Sequence, residues 1–223
     1  MKGGRMVGGK GEHYRVEKLT EKGEGRWRIF LSNGEEIEVE EEVVIDHRLL
    51  PGQEISSSIL DEVDNLNRVA SGYGKAISYL SYRPRSTAEV KQYLIGKGYE
   101  REAAMILKRL EEKGYLDDRT FAATWVRDRL ALKPRGSLLL RKELEEKGIR
   151  EEWIEEALST VRPEMEEEEA LRLGRKKIAT LRGREWDEIK GRLLRYLFQK
   201  GYSFPVIESI LPTLKEDFRR EEE

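Results

Sequence analysis

Two short segments hold the residues best suited to meeting a charged partner: Arg83-Pro84-Arg85-Ser86 and Lys133-Pro134-Arg135-Gly136-Ser137. Their prolines are 50 residues apart, and each segment separates two stretches of helical periodicity. Lys and Arg beside a helix entrance, where backbone amides lack intrahelical partners, are suited to phosphate oxygens. The plainer reading is an ordinary proline turn with solvated charges, and spacing alone does not separate the two. Arg83, Arg85, Lys133 and Arg135 are therefore the first candidates for a phosphate-contacting surface, expected in exposed turns.

Other chemistries fail on spacing. Gly4 to Lys10 matches the start of a phosphate-binding loop, but Gly11 stands where a Mg²⁺-ligating Ser or Thr belongs, and no strand precedes it. A flexible leader explains it, with Met6 as an alternative first residue. Gly72-Tyr73-Gly74 lacks the third glycine of a dinucleotide fingerprint and reads as a linker. His13 and His47 have no partner at metal-ligand spacing. Asp117-Asp118 precede an apolar helix face beginning at Phe121, so capping and the helix dipole explain them better than acid-base catalysis. The Glu166 to Glu169 run reads as a solvated helix start. The absence of cysteine removes thiol catalysis and thiolate metal sites. No nucleophile, base and orienting group come together, so the expectation is a non-enzyme with no cofactor and no metal.

These segments must be positioned by surrounding elements, and the charge distribution shows where to look. The formal charge is −2 overall, yet residues 71–150 carry 18 basic and 11 acidic side chains, with the acidic excess on either side. Within the helical part, Gly98, Gly148 and Gly201 stand in one column of an internal repeat, preceded by Lys97, Lys147 and Lys200. Leu94, Leu144 and Leu197 lie four positions back, and Val90, Leu140 and Leu193 eight back. Tyr99, Ile149 and Tyr202 follow, then Ala103, Ala104 and Leu107 against Trp153, Ile154 and Ala157 and against Val206, Ile207 and Ile210. Apolar residues at i, i+4 before the glycine and i, i+1, i+4 after it make two amphipathic helices, and Lys-Gly supplies a cation and a left-handed residue at the helix end. A further amphipathic stretch precedes each copy, so the unit has three helices. Ser86 and Glu89 form a capping box, Pro163 suits a first helical position, and the column argument places Trp153 in the core.

Ahead of the repeats, His13 to Leu19, Arg26 to Leu31 and Glu35 to Val39 read as strands, with Asn33-Gly34 suited to a two-residue hairpin turn that would pair Phe30 with Ile37. The segment is too small for a robust core of its own and should lean on the helices. The predicted fold is mainly α: three tandem three-helix repeats in an elongated curved body, preceded by a small β-rich module. The boundaries are a leader at 1–11, the module at 12–55, a helical linker at 56–71, repeats at 72–117, 118–162 and 163–215, and an acidic tail at 216–223. Stacked repeats of this kind present a continuous face to another macromolecule. No apolar run approaches the ~20 residues of a membrane span and no signal-peptide core is present, which predicts a cytoplasmic protein without membrane contact.

The stretch Asp117 to Gly148, DDRTFAATWVRDRLALKPRGSLLLRKELEEKG, resembles the signature of the RecX family, bacterial regulators of the RecA recombinase. Ala76 to Leu94, Gly114 to Asp118 and Tyr196 to Leu211 resemble the family's other repeats, so the likeness covers about residues 70–212. It implies a non-enzymatic monomer that binds RecA and its nucleoprotein filament, contacts single- or double-stranded DNA weakly and without sequence preference, and restrains RecA ATPase, strand exchange and coprotease activity. Applied to the motif, it widens the nucleic-acid or filament-binding set to Arg83, Arg85, Arg127, Arg129, Lys133, Arg135 and Arg141. A helix-turn-helix transcription regulator is the alternative, although no recognition helix stands out.

Overall fold

The computed structural model describes residues 13–181 and 183–222, with side chains as far as Arg220. The leader and its phosphate-loop-like stretch lie outside them. Among the described residues there are four strands, β1 (His13–Gly23), β2 (Arg26–Leu31), β3 (Glu36–Glu40) and β4 (Glu54–Ser56), with the short helix α1 (Glu41–Asp46) between the last two. Nine further helices follow: α2 (Ser57–Leu80), α3 (Thr87–Gly96), α4 (Ala103–Glu112), α5 (Asp118–Leu132), α6 (Ser137–Glu146), α7 (Glu151–Leu158), α8 (Pro163–Ala179), α9 (Trp186–Gln199) and α10 (Phe204–Glu222). The chain divides into two compact units. One takes the residues up to Arg83 and Val90–Tyr115; the other takes Pro84–Glu89 and everything from Leu116. None of the helices among the described residues is long and apolar enough to cross a membrane.

In the first unit the antiparallel sheet has the order β3-β2-β1-β4. Its β2–β3 hairpin is one residue out of the predicted register: Phe30 pairs with Glu36, and Ile29 with Ile37. Of the two turn residues only Gly34 takes positive φ, at 83°. The Gly34 amide returns to the Leu31 carbonyl at 2.9 Å, and Asn33 Oδ1 accepts from the Glu35 amide at 3.0 Å. The connection is therefore a three-residue loop closed by a glycine bulge rather than a two-residue turn. The buried face is Val16, Ile29, Leu31 and Val39, covered by Val43, Leu49, Ile55 and, from α2, Leu60 and Val63. The module does lean on a helix. That helix runs unbroken through residues 71 and 72, so Gly72 is no linker: it is buried, and a Cβ there would meet Ile106 at 2.5 Å and Tyr99 at 3.0 Å.

The repeat is most regular where each second helix ends. Gly98, Gly148 and Gly201 have φ of 83°, 71° and 90°. Tyr99, Ile149 and Tyr202 donate their amides to the carbonyls of Leu94, Leu144 and Leu197 at 3.0, 3.1 and 3.2 Å, and the glycine amides reach Ile95, Glu145 and Phe198 at 2.9, 2.8 and 2.9 Å. This is the same Schellman closure three times. The register is lost in the third helix of the first copy. There the buried residues are Ala103, Ile106 and Leu107, against Ile154, Ala157 and Leu158 in the second, because the turn ahead of α4 brings that helix into the core one residue sooner. Trp153, like Val206 at the same place in the third copy, faces partly outward, half-buried against the core edge with the Arg150 guanidinium 3.8 Å from its ring centroid. Ile154, fully buried, occupies the core place that the column argument gave to Trp153.

In the second unit consecutive repeats meet backbone to backbone. The Gly136 amide donates to the Lys200 carbonyl at 2.9 Å and the Leu138 amide to the Gly201 carbonyl at 3.1 Å. A Cβ on Gly136 would lie 2.2 Å from the Gly201 oxygen. The segment expected as an acidic tail is largely the end of α10, where Leu214 and Phe218 continue the buried stripe from Ile210 and Phe218 packs on Trp186.

Gly136→Ala should therefore destabilise the protein by about 2 kcal/mol or more, because neither backbone can yield. Gly98→Ala, whose added Cβ meets nothing within 4 Å, should cost only the left-handed strain of about 1 kcal/mol. Urea unfolding of the two variants checks the order. By the same measurement Ile154→Ala should cost about 3 kcal/mol, and Trp153→Ala distinctly less.

Candidate nucleic-acid interface

The two cationic turns join α2 to α3 and α5 to α6, and the structure treats their charges differently. Arg83 and Lys133 are exposed, while Arg85 and Arg135 are half-buried. Around the second turn the organising group is Glu143 of α6, whose side chain is only 12% exposed. Its carboxylate accepts from Trp125 Nε1 at 2.9 Å and Arg129 Nε at 3.0 Å, and it also pairs with Arg135. The Arg129 guanidinium lies 4.1 Å from the Trp125 ring centroid and Lys147 Nζ 4.3 Å from it. Lys147 in turn pairs with Glu89 at 3.2 Å. Two carboxylates, one indole and three cations thus form a connected network. A half-buried cation over an indole adds about 0.5–2 kcal/mol.

Arg141 is also engaged. It bridges Glu151 and Glu155 of α7, and its hydrogen bond, with its charge, lowers the Glu155 carboxyl pKa. Arg127 pairs with its neighbour Asp128 at 3.3 Å, with both side chains well exposed, a pairing of little energetic weight. Of the seven candidate cations, then, Arg129, Arg135 and Arg141 are committed to carboxylates of the chain itself. Arg127 and Lys133 face solvent; Arg83 is exposed and Arg85 half-buried. Sequence alone puts Arg135 in an exposed turn; its partner, eight residues ahead on α6, draws it in.

The helix entrances are occupied as well. The expected capping box is present, with the Ser86 amide on Glu89 at 3.1 Å and the Glu89 amide on Ser86 Oγ at 3.2 Å. The Thr87 amide donates to Asp118 Oδ1 at 2.8 Å, and Ser86 Oγ to the Lys147 carbonyl at 2.7 Å. At α6 the Ser137 amide and hydroxyl donate to Glu166 at 2.7 and 3.1 Å. Amides that sequence reasoning offered to a phosphate are thereby satisfied by carboxylates from the start of the next repeat. Asp117 caps its own helix as expected, accepting from Thr120 through both carboxylate oxygens, and these bonds lower its pKa. Asp118 does something else: it caps α3, and burial raises its pKa. Glu166 likewise is a cap rather than a merely solvated acid. No cluster of three or more metal-ligating side chains occurs among the described residues.

The second unit so arranged can offer Arg127 and Lys133 to an anionic polymer while the committed cations stiffen the scaffold beneath them. Comparison with known proteins places it. Models of the first, second and third three-helix domains of RecX match residues 73–110, 117–158 and 165–211. The chain is 33% identical over 187 residues to regulatory protein RecX of Bacillus pumilus, covering 83% of this chain and 71% of the relative. It is 36% identical over 208 residues to that of Halalkalibacterium halodurans, covering 89% and 76%. A crystal structure of regulatory protein RecX superposes with a TM-score of 0.79 at 29% identity, covering 88% of this chain and 98% of the other. RecX from Lactobacillus salivarius, at 24% identity and a TM-score of 0.62 over 67% of this chain and 98% of the other, shares the fold.

The committed and solvent-facing cations should separate in a stability assay. Arg141→Glu sets three acids together and should cost about 1 kcal/mol, whereas Lys133→Glu should leave the unfolding midpoint unchanged. Asp118 allows a pH test. Because its folded pKa is raised, its contribution to stability is present below the ordinary carboxylate pKa and lost as pH rises through the raised value. Asp118→Asn keeps an acceptor for Thr87 without the charge, so it should equal or exceed the parent's stability at pH 7, with any advantage shrinking below about pH 4. Thermal unfolding across that range would show it.

Proposed function

The chain belongs to the RecX family of regulatory proteins, and from that premise we propose that it binds RecA and the RecA nucleoprotein filament on DNA and restrains ATPase, strand exchange and coprotease activity. It acts by binding rather than by catalysis, in the cytoplasm, as a monomer. The observation that carries this reading is the tandem match of all three domains in order. The exposed cations Arg127 and Lys133 support it at the level of chemistry, since a filament presents phosphate alongside protein and several weak contacts can act together. The DNA component should be modest, indifferent to sequence and steeply weakened by salt, because neutralised phosphates release counterions.

The test is inhibition of RecA ATPase on single-stranded DNA with the DNA in excess. Competition for DNA alone disappears under that condition, whereas a filament-directed regulator still inhibits. Suppression at near-stoichiometric or lower ratios is expected, and its absence with folded protein and a matched recombinase overturns the reading. Tight binding to one duplex sequence without effect on RecA would make the chain a helix-turn-helix regulator instead. Arg127→Glu with Lys133→Glu should weaken binding to bare single-stranded DNA several-fold at low salt and flatten its salt dependence, with the fold intact by circular dichroism.

A further inference from the structure

Tyr82 and Leu132 are 85% and 80% exposed, the highest values for large apolar side chains among the described residues. They are also 50 residues apart, the repeat offset. Each stands immediately before a cation and a proline, Arg83-Pro84 in one copy and Lys133-Pro134 in the other. Single exposed apolar residues are ordinary on protein surfaces. Two at one repeat position, Tyr82 in the turn after α2 and Leu132 as the last residue of α5, each two residues before a proline that restricts the connection, are a repeated feature. In the third copy the position belongs to Glu185.

We propose that Tyr82 and Leu132 are equivalent docking tips, each inserting into an apolar, acid-rimmed pocket on one subunit of a protein polymer. The partner's chemistry follows from what the tips share. A nucleobase is held by stacking on a π-face, which Tyr82 has and Leu132 lacks. Burial of an apolar surface in a pocket suits both. The exposed Lys133 ammonium beside the second tip calls for an acidic rim on the pocket it enters. Two copies of one device suit a partner that repeats one pocket, and the fixed turns lower the ordering cost of each contact. This inference rests on the preceding reading, in which that polymer is a RecA filament, and it assigns the protein-directed part of the interaction to Tyr82 and Leu132, with Lys133 on the border between the pocket rim and the DNA.

The experiment compares the full chain with Tyr82→Ser, Leu132→Ser and the double variant. Binding is measured to RecA filaments assembled on single-stranded DNA with a non-hydrolysable ATP analogue, and to the same DNA bare. Both side chains are exposed, so unfolding midpoints should match the parent. Each single change is expected to weaken filament binding about tenfold, and the double change by more than about fiftyfold as the paired contact is lost, with affinity for bare DNA altered less than about twofold. A double variant that binds filaments as tightly as the parent overturns the proposal. Parallel loss on filament and bare DNA overturns it in favour of base contact. A parent chain that binds no filament removes the underlying reading and this inference with it.

Discussion

A helix opens with amide groups that its own hydrogen bonding cannot satisfy, and in the second unit much of the architecture follows from where those groups turn. The amide that opens α3 finds Asp118, and the one that opens α6 finds Glu166. Both carboxylates belong to the start of the following repeat. The glycine turn closing that repeat's second helix comes up against the same entrance, so that a Cβ on Gly148 would lie 2.6 Å from Ala88 and one on Gly201 2.3 Å from Leu139. A group that must be paired and a residue that must be small therefore fix the same joint. This leaves the outward side of each cationic turn to carry charge.

The helical repeat was legible because its most constrained features are local. Lys-Gly at the end of a helix with apolar residues four and eight positions before the glycine implies one closure, and the chain forms it in all three copies. What lay beyond local pattern was harder to see. The one-residue advance of α4 comes from a turn whose Glu102 is buried and held by Arg68 of α2, a pairing across 34 residues that no periodicity reveals. The hairpin register depended on whether Asn33 or only Gly34 would adopt positive φ, a choice of turn type that Asn-Gly leaves open.

The candidate site shows the same division more sharply. The stretch is basic by count, yet Arg129, Arg135 and Arg141 are drawn into carboxylates on neighbouring helices. The deciding factor is burial: a carboxylate as enclosed as Glu143 must be paired, so it claims the nearest guanidiniums, while Arg127 and Lys133 sit where water competes successfully. Trp125 and Arg129 meet as i,i+4 neighbours on one helix. Their meeting with Glu143 required the turn to fold back.

Helix α2 serves two masters along its length. Leu60 and Val63 complete the core beneath the sheet, while Gly72 and Ala76 lie buried further along among the helices of the first repeat. A rod hydrogen-bonded from end to end cannot melt in its first half without fraying the second. The β-rich module and the first repeat are thereby tied to unfold together, and what looks in the sequence like an appendage followed by a linker is one continuous element of the fold.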